Sequence, residues 1–299
     1  MNIYSEISSN KRNSYILLFV FIIIILILGY VFGLIFGNSY FGIIFAFIFS
    51  IMMILIGYYS GDKLILSMSK AREADKKEHA FLINTVEGLS IAAGIPMPKV
   101  YVMEEDSINA FATGRDPKHA SITLTTGALK KLKRIELEGV IAHEMSHIKN
   151  FDIRLMMLVS ILVGVIILLS DFIIRNFLWA PRQRHSRGSG GIFYLIIIVA
   201  GLLLAILSPI IAQVIRFSIS RKREFLADSS GALLTRYPKG LADALKKIRD
   251  DKDKLVDSAN KATAHLYLEN PLRKIGGKIN SLFNTHPDIN ERIKKLESI

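Results

Sequence analysis

His143-Glu144-Met145-Ser146-His147, inside the run ELEGVIAHEMSHIKN from Glu136 to Asn150, decides how the chain is read. Two imidazoles four residues apart on a helix project from one face and can hold a single zinc ion. The run favours a helix: Glu136 and Glu138 stand in its first turn, Lys149 in its last, and Asn150 is a natural C-terminal stop. Glu144, between the histidines, is placed to take a proton from water activated by the metal.

A catalytic zinc takes three protein ligands and leaves a fourth position for water. The chain has no cysteine, and no third histidine follows closely behind His147. The remaining common choice is a carboxylate on a second helix, and Arg223-Glu224-Phe225-Leu226-Ala227-Asp228 suits it. Glu224 and Asp228 share a helical face, so the first can ligate while the second accepts a hydrogen bond from a ligand histidine. Spacing alone leaves a second reading open, in which the pair neutralises Arg221, Lys222 and Arg223 on a solvated helix.

Hydrophobic residues make up 51% of the chain and are gathered in blocks, which points to a membrane protein. Segments 15–36 and 40–60 carry no charged side chain and are separated by Gly37, Asn38 and Ser39, the pattern of a transmembrane hairpin. The first is too long for the apolar region of a signal peptide. A third uncharged run, 192–215, contains Pro209 as an expected kink. Segment 155–174 is weaker, because Asp171 interrupts it; it reads as a span reaching the interface at that aspartate, or as a re-entrant segment.

Lys11 and Arg12 precede the first span, and Lys63, Lys70, Arg72, Lys76 and Lys77 follow the second, so both ends of the hairpin are expected in the cytoplasm. Arg175, Arg182, Arg184 and Arg187 run against this orientation. Geometry overrules them, since a metal shared by His143, His147 and Glu224 requires residues before 155 and after 215 to lie on one side. The Gly/Ser-rich stretch from Arg187 to Gly191 reads as a loop rather than a phosphate cradle, because no strand precedes it.

The absence of cysteine agrees with a cytoplasmic active domain. The formal charge of +12 flanks spans instead of interleaving with aromatics, so it indicates anionic lipid headgroups and not nucleic acid. The expected organisation is a hairpin at 1–60, a first catalytic segment at 61–154, a second transmembrane or re-entrant hairpin at 155–215 (155–174 and 192–215), and a second catalytic segment at 216–299. In the first soluble segment, Leu82, Val86, Leu89 and Ala93 form a helical stripe ended by Gly94 and Pro96. Lys99–Met103, Ala110–Thr113 and Ala120–Thr125 read as strands of a small antiparallel sheet against the motif helix. Pro238 and Pro287 mark helix starts in the second segment. His147 and Glu224 each lie about 12 to 14 Å from the nearest span if the intervening residues are helical, so the metal is expected close to the membrane surface.

Four motifs in order resemble the HtpX-type membrane zinc metalloproteases, relatives of the CAAX prenyl protease. They are N-A-F-A-T-G from Asn109 to Gly114, H-E-M-S-H-I-K-N-x-D from His143 to Asp152, E-F-L-A-D from Glu224 to Asp228, and T-H-P-D-I-N-E-R from Thr285 to Arg292. The chain departs from the family pattern at Phe225, where tyrosine is more usual, and at Asp288, where a second proline is common. The resemblance implies a mainly α membrane protein with about four transmembrane segments and a gluzincin-like α+β peptidase domain. It implies one zinc per chain on His143, His147 and Glu224, with Glu144 as the base. It also implies a multi-pass protein of the cell (inner) membrane that degrades misfolded membrane proteins and unfolded polypeptides at the cytoplasmic face under stress. The same resemblance points to His286 and Asn109 as transition-state or substrate groups, with the strand from Asn109 binding substrate by edge addition. Residue context alone reads His286 as a cap before proline and Asn109 as a turn residue. His79, His119, His185 and His265 carry no such role. Two other function classes are weighed beside this one: an intramembrane zinc protease, against which the charged residues flanking the motif argue, and a non-enzymatic adaptor with a structural metal, which would normally need a fourth ligand.

Overall fold

The structure is a computed structural model and describes residues 3–35, 37–173, 221–251, 263–268 and 287–299. The expected 192–215 span and His286 lie outside these residues.

Two long helices begin the chain, α1 (Ile3–Ile35) and α2 (Ser39–Met68). Ile7–Val31 and Ser39–Met68 are both long and apolar enough to cross a membrane. Their outward faces carry Tyr15, Phe19, Ile23, Ile27, Phe41, Phe45 and Ile48, all exposed, which is the surface lipid covers and water does not. Small residues let the two backbones close on each other: a Cβ on Gly42 would fall 2.2 Å from Gly29 O and 2.8 Å from Gly33 Cα. The turn between them uses Gly37 at φ +82°, and the Asn38 side chain accepts the Phe41 N–H at 3.0 Å to start α2.

After α2 come β1 (Arg72–Glu73), α3 (Ala80–Ala93), β2 (Lys99–Met103), β3 (Ala110–Gly114) and β4 (Ala120–Thr125). The sheet order is β1-β2-β4-β3, antiparallel at both ends and parallel between β2 and β4. The sheet is therefore mixed, where an antiparallel one was expected. Alternating side chains report which face is buried and not which strand lies alongside. Here residues 104–109 carry the chain past β2, so the β3–β4 hairpin pairs with β2 through its second strand. Within that hairpin, Asp116 accepts the N–H groups of Lys118 and His119 at 2.9 and 3.0 Å, closing a single 3-10 turn.

A short helix α4 (Thr126–Lys131) leads to α5 (Arg134–Lys149), which carries the HExxH motif. The Glu136 carboxylate accepts the Lys133 N–H at 2.6 Å and a Lys247 Nζ–H at 2.7 Å, satisfying a donor at the helix start. Every residue from Gly139 to Ile148 is buried. A helix buried all round is a central one. It is enclosed by β3, β4 and α3 on one side and by α7 (Arg221–Thr235) and α8 (Pro238–Asp250) on the other. The last described helix, α9 (Ile289–Glu297), starts at the Asp288 cap, whose side chain accepts the Asn290 N–H at 2.8 Å, and packs on α8 and α7.

Between α5 and α6 (Asp152–Ile173) the chain turns by 82°. Phe151, at φ +61°, makes the corner, and its ring lies under Lys11 Nζ at 4.3 Å and Arg154 Cζ at 5.0 Å. Beyond the corner α6 packs along α1 and α2 through Leu155, Leu158, Val159, Leu162 and Val163 against Leu17, Phe21 and Ile25. A separate apolar cluster of Ile65, Leu66, Met103, Phe111, Met157 and Tyr267 joins the end of α2 to the sheet. The sheet and α5 are thus fastened to one end of the two long apolar helices, through the α2–sheet cluster and through α6.

Candidate metal centre

The centre forms where α5 and α7 cross. Glu224, Asp228 and Gly231 lie on one stripe of α7, four and three residues apart, and that stripe faces α5. Gly231 permits the close approach: a Cβ there would stand 3.0 Å from His143 N and 3.2 Å from Ala142 C, both backbone atoms of α5.

Across this contact, His143 Nε2 lies 3.1 Å from His147 Nε2, 3.8 Å away is Glu224 Oε2, and Glu224 Oε1 is 3.6 Å from His147 Nε2. Among the described residues, His143, His147 and Glu224 are the group whose ligand atoms all fall within 4.8 Å of one another. All three are buried, at 1%, 5% and 4% exposure.

The donor set fits a metal cation. Each imidazole is held from behind at Nδ1 by a carboxylate, His143 by Asp228 Oδ1 at 3.0 Å and His147 by Asp152 Oδ2 at 2.9 Å. With Nδ1–H donated to a carboxylate, each neutral ring presents its Nε2 lone pair forward. Two lone pairs facing each other at 3.1 Å repel unless a proton or cation lies between them. A tetrahedral ion with bonds of about 2.0 to 2.1 Å to nitrogen would set two such nitrogens roughly 3.3 Å apart.

The charges agree with this picture. Burial pushes the His147 imidazole down, but the hydrogen bond it donates to Asp152 and the charges of Glu224, Asp152 and Glu144 outweigh it and lift its pKa to about 9. Burial also pushes Asp228 up, against the stronger hold of Arg292 and His143, which keep it down at about 2. For Glu144, burial wins and raises its carboxyl above the ordinary range, opposed by His143 and His147 and assisted by Glu224. A carboxyl raised in this way is better matched to accepting and releasing a proton near neutral pH.

Arg292 is the largest group missed by the sequence reading. It is 1% exposed, donates from Nε to Asp228 Oδ2 at 2.9 Å and from Nη2 to Asp228 Oδ1 at 2.7 Å, and reaches Glu224 Oε2 at 3.5 Å. It belongs to the quoted T-H-P-D-I-N-E-R run, and its spacing on one stripe with Ile289, Ile293 and Leu296 marks it as inward-facing without showing what it meets. Asp152 was likewise quoted within a motif without a role; five residues after His147, it reaches back only because Phe151 turns the chain.

Asn109 is buried, its Oδ1 accepts the Ala110 N–H at 3.0 Å, and its own N–H donates to Thr125 Oγ1 at 3.0 Å. On the outer edge of β3, Ala110 O accepts the Leu268 N–H at 2.9 Å, so a peptide adding at Ala110 would have to replace that bond. Of the histidines set aside, His265 is buried and meets Met156 O at 3.2 Å on α6, His79 is buried at the start of α3, and His119 pairs with Asp116 at 2.8 Å. His185 lies outside the described residues.

Comparison with known proteins gives consistent results. The sequence profile of Peptidase family M48 matches residues 76–299. A protein named "Protease HtpX homolog" from Dictyoglomus thermophilum is 45% identical over 293 residues, covering 98% of this chain and 93% of that protein. Proteins of the same name from Caldanaerobacter subterraneus and Listeria monocytogenes are 45% and 42% identical, each covering 99% of this chain and 98% and 100% of their own lengths. The crystal structure of S. mikatae Ste24p is similar in fold, with a TM-score of 0.52 and 21% identity. The match covers 91% of this chain and 62% of that one, so the present chain spans less than two thirds of that structure.

Proposed function

The chain belongs to peptidase family M48 and is a membrane-associated metalloprotease; from that premise we propose that it is a zinc endopeptidase whose metal is held by His143, His147 and Glu224 and whose base is Glu144. The observation that carries this reading is the convergence of His143 Nε2 and His147 Nε2 on α5 with the Glu224 carboxylate on α7, all within 4.8 Å, with Glu144 directly following the first ligand.

When bound, zinc supplies Lewis acidity, lowering the pKa of water and polarising the scissile carbonyl. The chain's own residues do the rest. Asp228 and Asp152 keep the two imidazoles in the tautomer that presents Nε2. Arg292 keeps Asp228 ionised and in line. Glu144 takes the proton of the attacking water at its carboxylate and delivers it to the leaving amine. Asn109 and His286 are proposed as transition-state or substrate groups, with β3 as the edge on which an extended peptide lies.

The proposed substrates are misfolded or damaged membrane proteins and unfolded polypeptides, cut at the cytoplasmic face of the cell membrane. The 82° corner between α5 and α6 supports a site at the membrane surface, because it puts the centre next to helices that pack with the two spans while α5 itself is surrounded by the sheet, α3, α7 and α8. The domain plan proposed is two catalytic segments, 61–154 and 216–299, joined through a hairpin at 155–215, in a multi-pass protein. The test is cleavage by the chain reconstituted in liposomes. Casein and a destabilised membrane protein should be cut, and added chelator should stop both. Cleavage that persists after the metal is stripped and verified absent contradicts a metal mechanism, and cleavage of neither contradicts the substrate class.

A further inference from the structure

The N-terminal turns of α1, ahead of its uncharged run 15–36, reach the corner between α5 and α6. There Asn10 is 1% exposed and its amide joins three elements. Nδ2 donates to Asn150 O, at the C-cap of α5, at 3.0 Å and to Asp152 Oδ1, the first residue of α6, at 2.6 Å. Oδ1 accepts from Arg223 Nη1, on α7, at 2.8 Å. The neighbours leave one orientation for the amide, since a guanidinium can only donate and a carbonyl and carboxylate can only accept. Both donors and the acceptor are engaged.

The residues it grips are those next to the metal ligands. Asp152 uses its other oxygen, Oδ2, on His147 Nδ1 at 2.9 Å. Arg223 directly precedes Glu224, and its Nε stands 3.7 Å from Asp152 Oδ1. Ser14, one turn further along α1, donates its hydroxyl to Asn10 O at 2.9 Å, fixing the turn that carries the amide.

We propose that Asn10, on the membrane helix α1, is a positioning residue for the metal centre, holding Asp152 and through it the His147 imidazole in register with α7. Asp152 could otherwise rotate its carboxylate toward Arg223, and the ring it steers would turn with it. The inference rests on the ligand assignment made above. It ties the geometry at His147 to the first turns of α1 through the Asn10 amide, and not through the apolar packing of that helix against α6. A partner that orients a ligand's own partner is expected to change metal affinity by about tenfold, the lower end of the range for residues outside the ligand set.

The experiment uses the full chain in detergent, with zinc affinity measured by competition against a chromophoric chelator and the ligand field read from the absorption of the cobalt(II)-substituted protein. Asn10→Ala should weaken zinc about tenfold and shift the cobalt bands. Asn10→Asp, nearly the same size and still an acceptor for Arg223, should weaken it at least as much, because it sets a second acceptor against Asp152. It decides the question if Asn10→Ala does not fold. Leu17→Ala serves as the packing control: it loosens α1 against α6 without touching the amide, and should leave both readouts within about twofold. Unchanged zinc affinity and cobalt spectrum in the Asn10 variants overturns the proposal, as does an equal loss in Leu17→Ala. The ligand assignment is tested separately by His147→Ala, which should lose zinc whatever Asn10 does.

Discussion

Replacing Arg292 by methionine isolates what a buried cation does for this site. Methionine keeps the apolar reach of the side chain and removes the guanidinium that sits 2.7 and 2.9 Å from the two oxygens of Asp228. Asp228, 3% exposed, is then left with His143 and no cation. Breaking a buried pair by removing one partner costs about 3 to 5 kcal/mol. The pKa gives a consistent scale: Asp228 is held at about 2 against an ordinary 3.8, and each unit is worth about 1.4 kcal/mol, so roughly 2 to 3 kcal/mol of stabilisation passes through this carboxylate. Its folded pKa is depressed, so that stabilisation is complete above 3.8 and is lost as pH falls towards 2. At pH 7 the metal-free variant should therefore melt roughly 3 to 8 °C lower than the unmodified chain in the same detergent. Circular dichroism at the helical band is a suitable readout. The double variant Arg292→Met with Asp228→Asn removes the stranded charge and should recover at least half of the loss. A melting temperature within about 1 °C for the single variant, or strictly additive losses in the double, refutes the reasoning.

Gly231→Val should push α7 off α5, since even a single Cβ there meets α5 backbone at 3.0 Å; zinc affinity by chelator competition is expected to fall at least about tenfold, with Gly231→Ala between the two, and an unchanged value in the valine variant contradicts the crossing geometry. His147, lifted to about 9 in the metal-free chain, is an imidazolium at pH 7 and must lose its proton to ligate. Calorimetry in buffers of different ionisation enthalpy should show close to one proton released per zinc, and apparent affinity should rise about tenfold per pH unit up to that value; binding without proton release contradicts the ligand role.

How far the sequence could be read depended on the range of each interaction. The HExxH helix and the two N-terminal spans declare themselves through period and composition within a few turns. Glu224 and Asp228 were found because both sit on one helical stripe, although only the structure shows that this stripe meets α5. Strand order was not legible, since the burial pattern of Lys99–Met103 is the same whether its neighbour runs parallel or antiparallel. Arg292 and Asn10 escaped for a stronger reason: Arg292 shares the apolar stripe of Ile289, Ile293 and Leu296, which turns it inward without naming its partner, Asn10 sits in a polar run, and the meaning of each lies in partners 64 and 142 positions away in the chain. Asp152 fell between these cases, near in sequence and yet dependent on the left-handed turn at Phe151.

The central claim is that Glu144 is the proton carrier of a zinc peptidase, and it is tested by Glu144→Gln. The purified chain and this variant should each carry one zinc, determined by elemental analysis, and should unfold at similar temperatures. The account predicts that casein is cleaved by the unmodified chain alone, with loss of at least about a hundredfold in the variant. Equal cleavage by a zinc-loaded Glu144→Gln chain would contradict it.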